Sequence, residues 1–168
     1  MVADFEMRTS RDLTRIAREL RQMDDQEIKK RFRRELRAAA QPMVPAVRQA
    51  IRQIPSKRGY SASGLRGRLS KAVKLEVKTT GRQAGVRLRV DGRKMPDKQG
   101  SLPRLVEGEG VQRGRRVDTR WRHPVYGNRE VWVEQPAKPF FYKSLRSLGP
   151  RSRASVNRVL DQISRDIT

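Results

Sequence analysis

His123 is the only histidine in the chain, and there is no cysteine. An acyl-transfer relay needs a nucleophile, an imidazole and an orienting carboxylate. A zinc site needs three or four His, Cys or carboxylate ligands at short, recurrent spacings. Neither pattern occurs around His123, which precedes Pro124 and reads as a turn residue. Glu107 and Glu109 are the nearest approach to a carboxylate pair for general acid–base chemistry, but both adjoin glycines (Gly108, Gly110) in a stretch that reads largely as loop. The Gly108-x-Gly110 spacing lacks the third glycine and the following helix that a phosphate cradle requires. The sequence therefore predicts no catalytic residue, cofactor or metal, and a protein that is not an enzyme.

Charge and packing are what remain. Forty basic residues stand against 18 acidic ones, a formal net charge of +22. The excess is uneven, since residues 55–100 carry 13 basic residues and 3 acidic ones. Such a charge attracts polyanions by releasing their counterions. Arginine outnumbers lysine by 30 to 10, so a compositional bias of the source is the plain alternative. Lys94, Lys98, Arg113, Arg115 and Arg116 are the densest cluster, a candidate surface for DNA or for an acidic partner. No aromatic residues are interleaved with them, which argues against stacking on single-stranded bases and leaves a solvated loop as the alternative. Trp121, Trp132, Phe140 and Phe141 are candidates for a subunit interface or for a satellite core, Trp132 then lying under the C-terminal helix. At a period of two, Trp132 faces away from Val131 and Val133, so one of these sets must turn from the core.

The elements that position these residues follow from periodicity. Length predicts a single domain over residues 1–168. Residues 1–9 read as a flexible polar leader. A long amphipathic helix is expected over 10–54, its stripe (Leu13, Ile16, Leu20, Met23) interrupted at Asp24-Asp25 and resuming at Ile28, Phe32, Leu36, Ala39, Met43, Val47, Ile51 and Ile54. Pro42 and Pro45 should kink it near Ala38–Gln41. Lys29, Lys30, Arg33, Arg34, Arg37, Arg48 and Arg52 form its opposite, basic face. Over 73–134 the pattern predicts β-hairpins with basic loops. Val73, Leu75 and Val77, then Val86, Leu88 and Val90, alternate with charged residues. Leu102–Glu107 reads as a short helix ending at Gly108, 108–116 as a flexible basic loop, and Val117–Trp121 as a strand paired with Glu130–Glu134. A C-terminal helix over 139–167 should start at Pro139 and break at Gly149-Pro150. The expected fold class is α+β: a long kinked N-terminal helix and a C-terminal helix packed on a small antiparallel β-sheet. No apolar run suggests a signal peptide or a membrane span, so a soluble product made in a cytoplasm is expected.

Three stretches resemble a known family. They are the Pro-interrupted, Arg-rich helix around Ala38-Ala39-Ala40-Gln41-Pro42-Met43-Val44, the L-V-E-G stretch at Leu105–Gly108, and H-P-V-Y-G-N-R followed by a Trp strand and Q-P-A-x-P-F-F, from His123 to Phe141. Together these resemble the neck and tail-completion proteins of long-tailed double-stranded DNA bacteriophages, also described as minor tail components or head–tail connectors. The resemblance spans roughly residues 10 to 165. It implies a structural virion protein, a homo-oligomeric ring, expected as a hexamer, that completes or terminates the tail. Such a ring would join the tail tube to the head connector around the DNA path, with non-specific duplex contact. A basic nucleic-acid-binding protein, nucleoid or regulatory, is the alternative, although no helix-turn-helix, zinc-finger or RNA-recognition signature is present.

Overall fold

The computed structural model describes residues 4–7, 11–22, 25–55, 64–79, 85–95, 100–108, 110–112, 115–117, 120–125 and 128–167. In chain order the elements are β1 (Asp4–Met7), α1 (Arg11–Gln22), α2 (Gln26–Ala40), α3 (Met43–Arg52), α4 (Leu65–Lys71), β2 (Val73–Lys78), β3 (Gly85–Val90), a 3₁₀ turn (Gly92–Lys94), α5 (Leu102–Glu107), β4 (Gly110–Gln112), β5 (Arg115–Val117), β6 (Arg120–Val125), β7 (Asn128–Pro136), α6 (Phe141–Leu145) and α7 (Leu148–Asp166). The fold class is the mixed helix and antiparallel sheet expected. Where length predicts one domain, the chain gathers into two compact units. Buried hydrophobic residues occur in both units.

The helical unit comprises Asp4–Ala46, Lys74–Arg89 and Leu145–Thr168. The Asp25 carboxylate accepts from Glu27 N (2.8 Å) and Ile28 N (3.0 Å), satisfying two orphan amides of α2. This cap starts a new helix, so the single helix expected over 10–54 is corrected to α1 followed by the bent pair α2–α3. The bend falls at Gln41-Pro42, one residue beyond the expected stretch. Pro42 has no amide to donate, Gln41 N reaches back to Arg37 O (2.9 Å), and Val44 N closes a tighter turn onto Gln41 O (3.1 Å). Pro45 lies in the first turn of α3, where a missing donor is harmless. The apolar stripe runs through the bend, with Phe32, Leu36, Ala40, Met43, Val47 and Ile51 all buried.

Both α1 and α2 pack on α7, whose Val156, Leu160 and Ile163 are buried. Arg31 pairs with Glu35 Oε1 one turn along α2 (2.9 Å) and bridges to α7 through Asp166 Oδ2 (3.0 Å). These carboxylates, Glu35 first, hold the Arg31 guanidinium above its ordinary pKa. The C-terminal helix breaks at Arg146-Ser147 rather than at Gly149-Pro150, because Pro150 sits in the first turn of α7 and needs no partner there.

The sheet has the order β1-β3-β2. The expected leader is corrected over Asp4–Met7, which pair antiparallel with β3 in the register Asp4↔Arg89 to Met7↔Val86. A strand with one neighbour already paired has a free ladder edge, and a polar segment can satisfy it as well as an apolar one. On β3, Val86, Leu88 and Val90 are buried, as the alternation predicts. Its polar face is only half wet, since Arg89 Nε donates to Glu76 Oε1 on the neighbouring strand (2.7 Å).

The ribbon unit comprises Val47–Val73 and Val90–Ser144. Its core contains Ile51, Leu69, Ala72, Met95, Leu102, Leu105, Phe140 and Phe141. Arg66 Nη1 donates to Arg52 O (3.2 Å) and Ile54 O (2.5 Å), covering carbonyls that α3 leaves open at its C-terminus. The loop expected over 108–116 contains an antiparallel hairpin, β4–β5, with Val111 opposite Arg116. The strand expected from Val117 is corrected accordingly: Val117 belongs to β5, and β6 starts at Arg120. β6 and β7 pair from Arg120↔Pro136 to Val125↔Asn128, with a register shift at Pro124/Val125. Tyr126 and Gly127 lie outside the described residues.

One backbone approach holds the 3₁₀ segment in place. A Cβ built on Gly92 would lie 2.3 Å from Gly100 O, whereas one on Gly100 would meet Gly92 O at an ordinary 3.5 Å. Gly92→Ala is therefore expected to cost about 1–3 kcal/mol in a urea melt, because backbone must shift to admit the methyl group. Gly100→Ala is the matched control and should change little. Equal midpoints for the two would contradict this packing.

Candidate functional site

Two of the three stretches that carry the resemblance, L-V-E-G and Q-P-A-x-P-F-F, meet in the ribbon unit. Glu107 ends α5, and its side chain is buried at 5% exposure. Its Oε2 accepts from Phe140 N and Phe141 N, each at 2.8 Å, and Oε1 accepts from Tyr142 N at 3.1 Å. These amides open α6, so the carboxylate satisfies orphan donors and sits at the favourable end of the helix dipole. Next to it, Lys138 N donates to Val106 O (2.8 Å). Gly108 follows in the left-handed region (φ 88°), where glycine carries no steric penalty, and ends α5. L-V-E-G and Q-P-A-x-P-F-F are thus one structural joint. A carboxylate saturated by three amides is a structural ligand, which removes Glu107 from the acid–base pair considered with Glu109. Glu109 itself lies outside the described residues.

Of the four aromatic candidates, Phe140 (2% exposed) and Phe141 (0%) belong to the core. Phe141 meets Phe140 and Tyr142 edge to face, at ring-centre separations of 6.4 and 5.4 Å. Trp132 lies on β7 opposite Pro124 and is half-buried. Trp121 and His123 lie in β6 opposite Gln135 and Val133. His123 is thus a strand residue rather than the turn residue expected before Pro124, and the placement expected for the Trp121 side chain falls outside the described residues.

β7 departs most from an ordinary strand. From Glu130 to Pro136 no residue is buried, and Val131 is 50% exposed. Among the described residues its sheet has two strands. A two-stranded ribbon is marginal in water unless one face is covered. Tyr142 (40%) and Leu65 (42%), in the same unit, are the other large apolar side chains left exposed among the described residues.

The basic cluster is only partly placed. Lys94 is exposed on the 3₁₀ turn, and Arg115 and Arg116 lie in β5 opposite Gln112 and Val111. Lys98 and Arg113 lie outside the described residues. A cationic feature that was visible only as a helix face is better defined. In the helical unit Arg21, Lys29, Lys30 and Arg33 surround a pocket of about 180 Å³, floored by Ala17, Leu20 and Phe32 and reached by Gln26 and Thr79. The spacing 29, 30, 33 on α2 was the legible signal. The contribution of α1 was not.

Among the described residues no group of three or more His, Cys, Asp or Glu side chains is placed to hold a metal. No helix among them is long and apolar enough to cross a membrane. No protein family, curated protein or solved structure matches this chain.

Proposed function

We propose that this chain is a structural subunit of a bacteriophage neck or tail, without catalytic activity. Copies assemble into a closed ring, a hexamer on the family resemblance, that completes or terminates the tail and joins it to the head connector around the DNA path. Its partners are its own copies, the connector and the tube, and its place is the virion. The observation that carries this reading is β7, a nine-residue strand with Val131, Trp132 and Val133 at its centre and no buried residue from Glu130 to Pro136. Such a surface is completed by another subunit, and head-to-tail contacts that close give a ring. The joint between Leu105–Gly108 and Gln135–Phe141 also supports it, because two of the three stretches that carry the resemblance are bonded to each other there.

A nucleoid or regulatory protein would share the +22 charge but would leave the exposed ribbon without a purpose. Mass photometry of the purified chain separates the two. A discrete ring is expected, dissociated to folded monomers by Val131→Asp, since a half-exposed position admits a charge without unfolding the subunit. A strict monomer at every concentration, also missing from mature particles, would overturn the proposal.

A further inference from the structure

We infer that the exposed face of α1 and α2 is a seat for the phosphate backbone of duplex DNA, read without regard to base sequence. Lys30, Arg33, Arg34 and Arg37 are all exposed and recur at helical spacing on one side of α2. From Lys30 to Arg37 the helix rises about 10 Å, over which one DNA strand presents about three phosphates. At the N-terminal end of this stripe, Arg21 and Lys29 join Lys30 and Arg33 around the pocket. Gln26 and Thr79 also line it. The buried apolar floor strengthens the field of the cations above it.

The face is unneutralised. Lys30 pairs with Glu27 at 2.8 Å, but Arg21, Lys29, Arg33, Arg34 and Arg37 have no acidic partner among the described residues. Duplex DNA fits better than the alternatives. An acidic protein would need an aromatic or aliphatic anchor at the centre of its contact. The large apolar side chains exposed among the described residues (Leu65, Val131 and Tyr142) all belong to the other unit. A single strand would need aromatic faces to stack on, and Phe32, on this helix, is fully buried.

The test is fluorescence anisotropy of the full chain with a mixed-sequence 30-base-pair duplex, across a salt series. Micromolar affinity near physiological salt is expected, equal for unrelated sequences. Arg33→Gln/Arg34→Gln/Arg37→Gln keeps helix propensity at exposed positions, and circular dichroism should confirm an unchanged fold. It should weaken binding at least about tenfold and lower the log–log salt slope by about 2–3, one increment for each lost phosphate contact. Arg151→Gln/Arg153→Gln, exposed on α7 outside the stripe, should leave that slope in place. A triple variant that binds as the parent does, or a parent that ignores duplex but captures poly-glutamate, would overturn the inference. The result is independent of assembly: a monomer that binds DNA through this stripe ends the ring proposal and leaves the seat standing.

Discussion

Glu107→Ala is expected to destabilise the protein by about 3–5 kcal/mol, a large share of the 5–15 kcal/mol typical of a domain. Three backbone amides, Phe140 N, Phe141 N and Tyr142 N, lose their acceptor at once. Each buried donor left without a partner costs about 1–3 kcal/mol, and water reaching Tyr142 recovers part of the total. Glu107→Gln tests the chemistry more finely. Its carbonyl oxygen can still receive Phe140 N and Phe141 N, but its amide group then faces Tyr142 N donor to donor, so about 1–3 kcal/mol is expected. Urea denaturation should rank the parent above Gln and Gln above Ala. An alanine variant within about 0.5 kcal/mol of the parent would show that the joint between α5 and α6 is not held this way.

Phe141→Ala should have a comparable effect for a different reason. The ring is completely buried, and truncating a buried phenylalanine typically costs about 3–5 kcal/mol, including the cavity left behind. The edge-to-face contacts with Phe140 and Tyr142 add to the loss. Tyr142 is the internal control, one residue along the same helix but 40% exposed, so Tyr142→Ala should cost less than half as much. If the two melts coincide, α6 presents a different face to the core. Neither variant bears on assembly directly. Dissociation without unfolding is reserved for Val131, on the uncovered ribbon.

The two effects differ in how far the sequence announces them. Phe140 and Phe141 stand out as the bulkiest apolar pair after a Pro-rich stretch, and their burial is unsurprising even though the side that covers them is not written locally. Glu107 is different. Beside glycines it reads as a loop carboxylate, and its partners lie 33 to 35 residues away. Shorter separations still hide Arg66 at the end of α3, 12 and 14 residues from its partners, and, over eight residues, Gly100 against Gly92. The polar stretch Asp4–Met7 carries no strand signal, and it pairs because β3 offers a free edge. The bend at Gln41-Pro42, by contrast, follows from the missing amide of one residue and needs no tertiary information.

The amino-acid order alone determined the apolar stripe through Phe32, Leu36, Met43, Val47 and Ile51, the alternation of Val86, Leu88 and Val90, the helix stop at Gly108 and the cationic face of α2. Each is a matter of neighbours within about one or two turns, where backbone geometry converts spacing into a side. Tertiary structure decided which carboxylate is buried, which helix completes the basic pocket, and which strand is left uncovered. Those outcomes depend on segments distant along the chain arriving together, and burial is a property of the pair rather than of either partner.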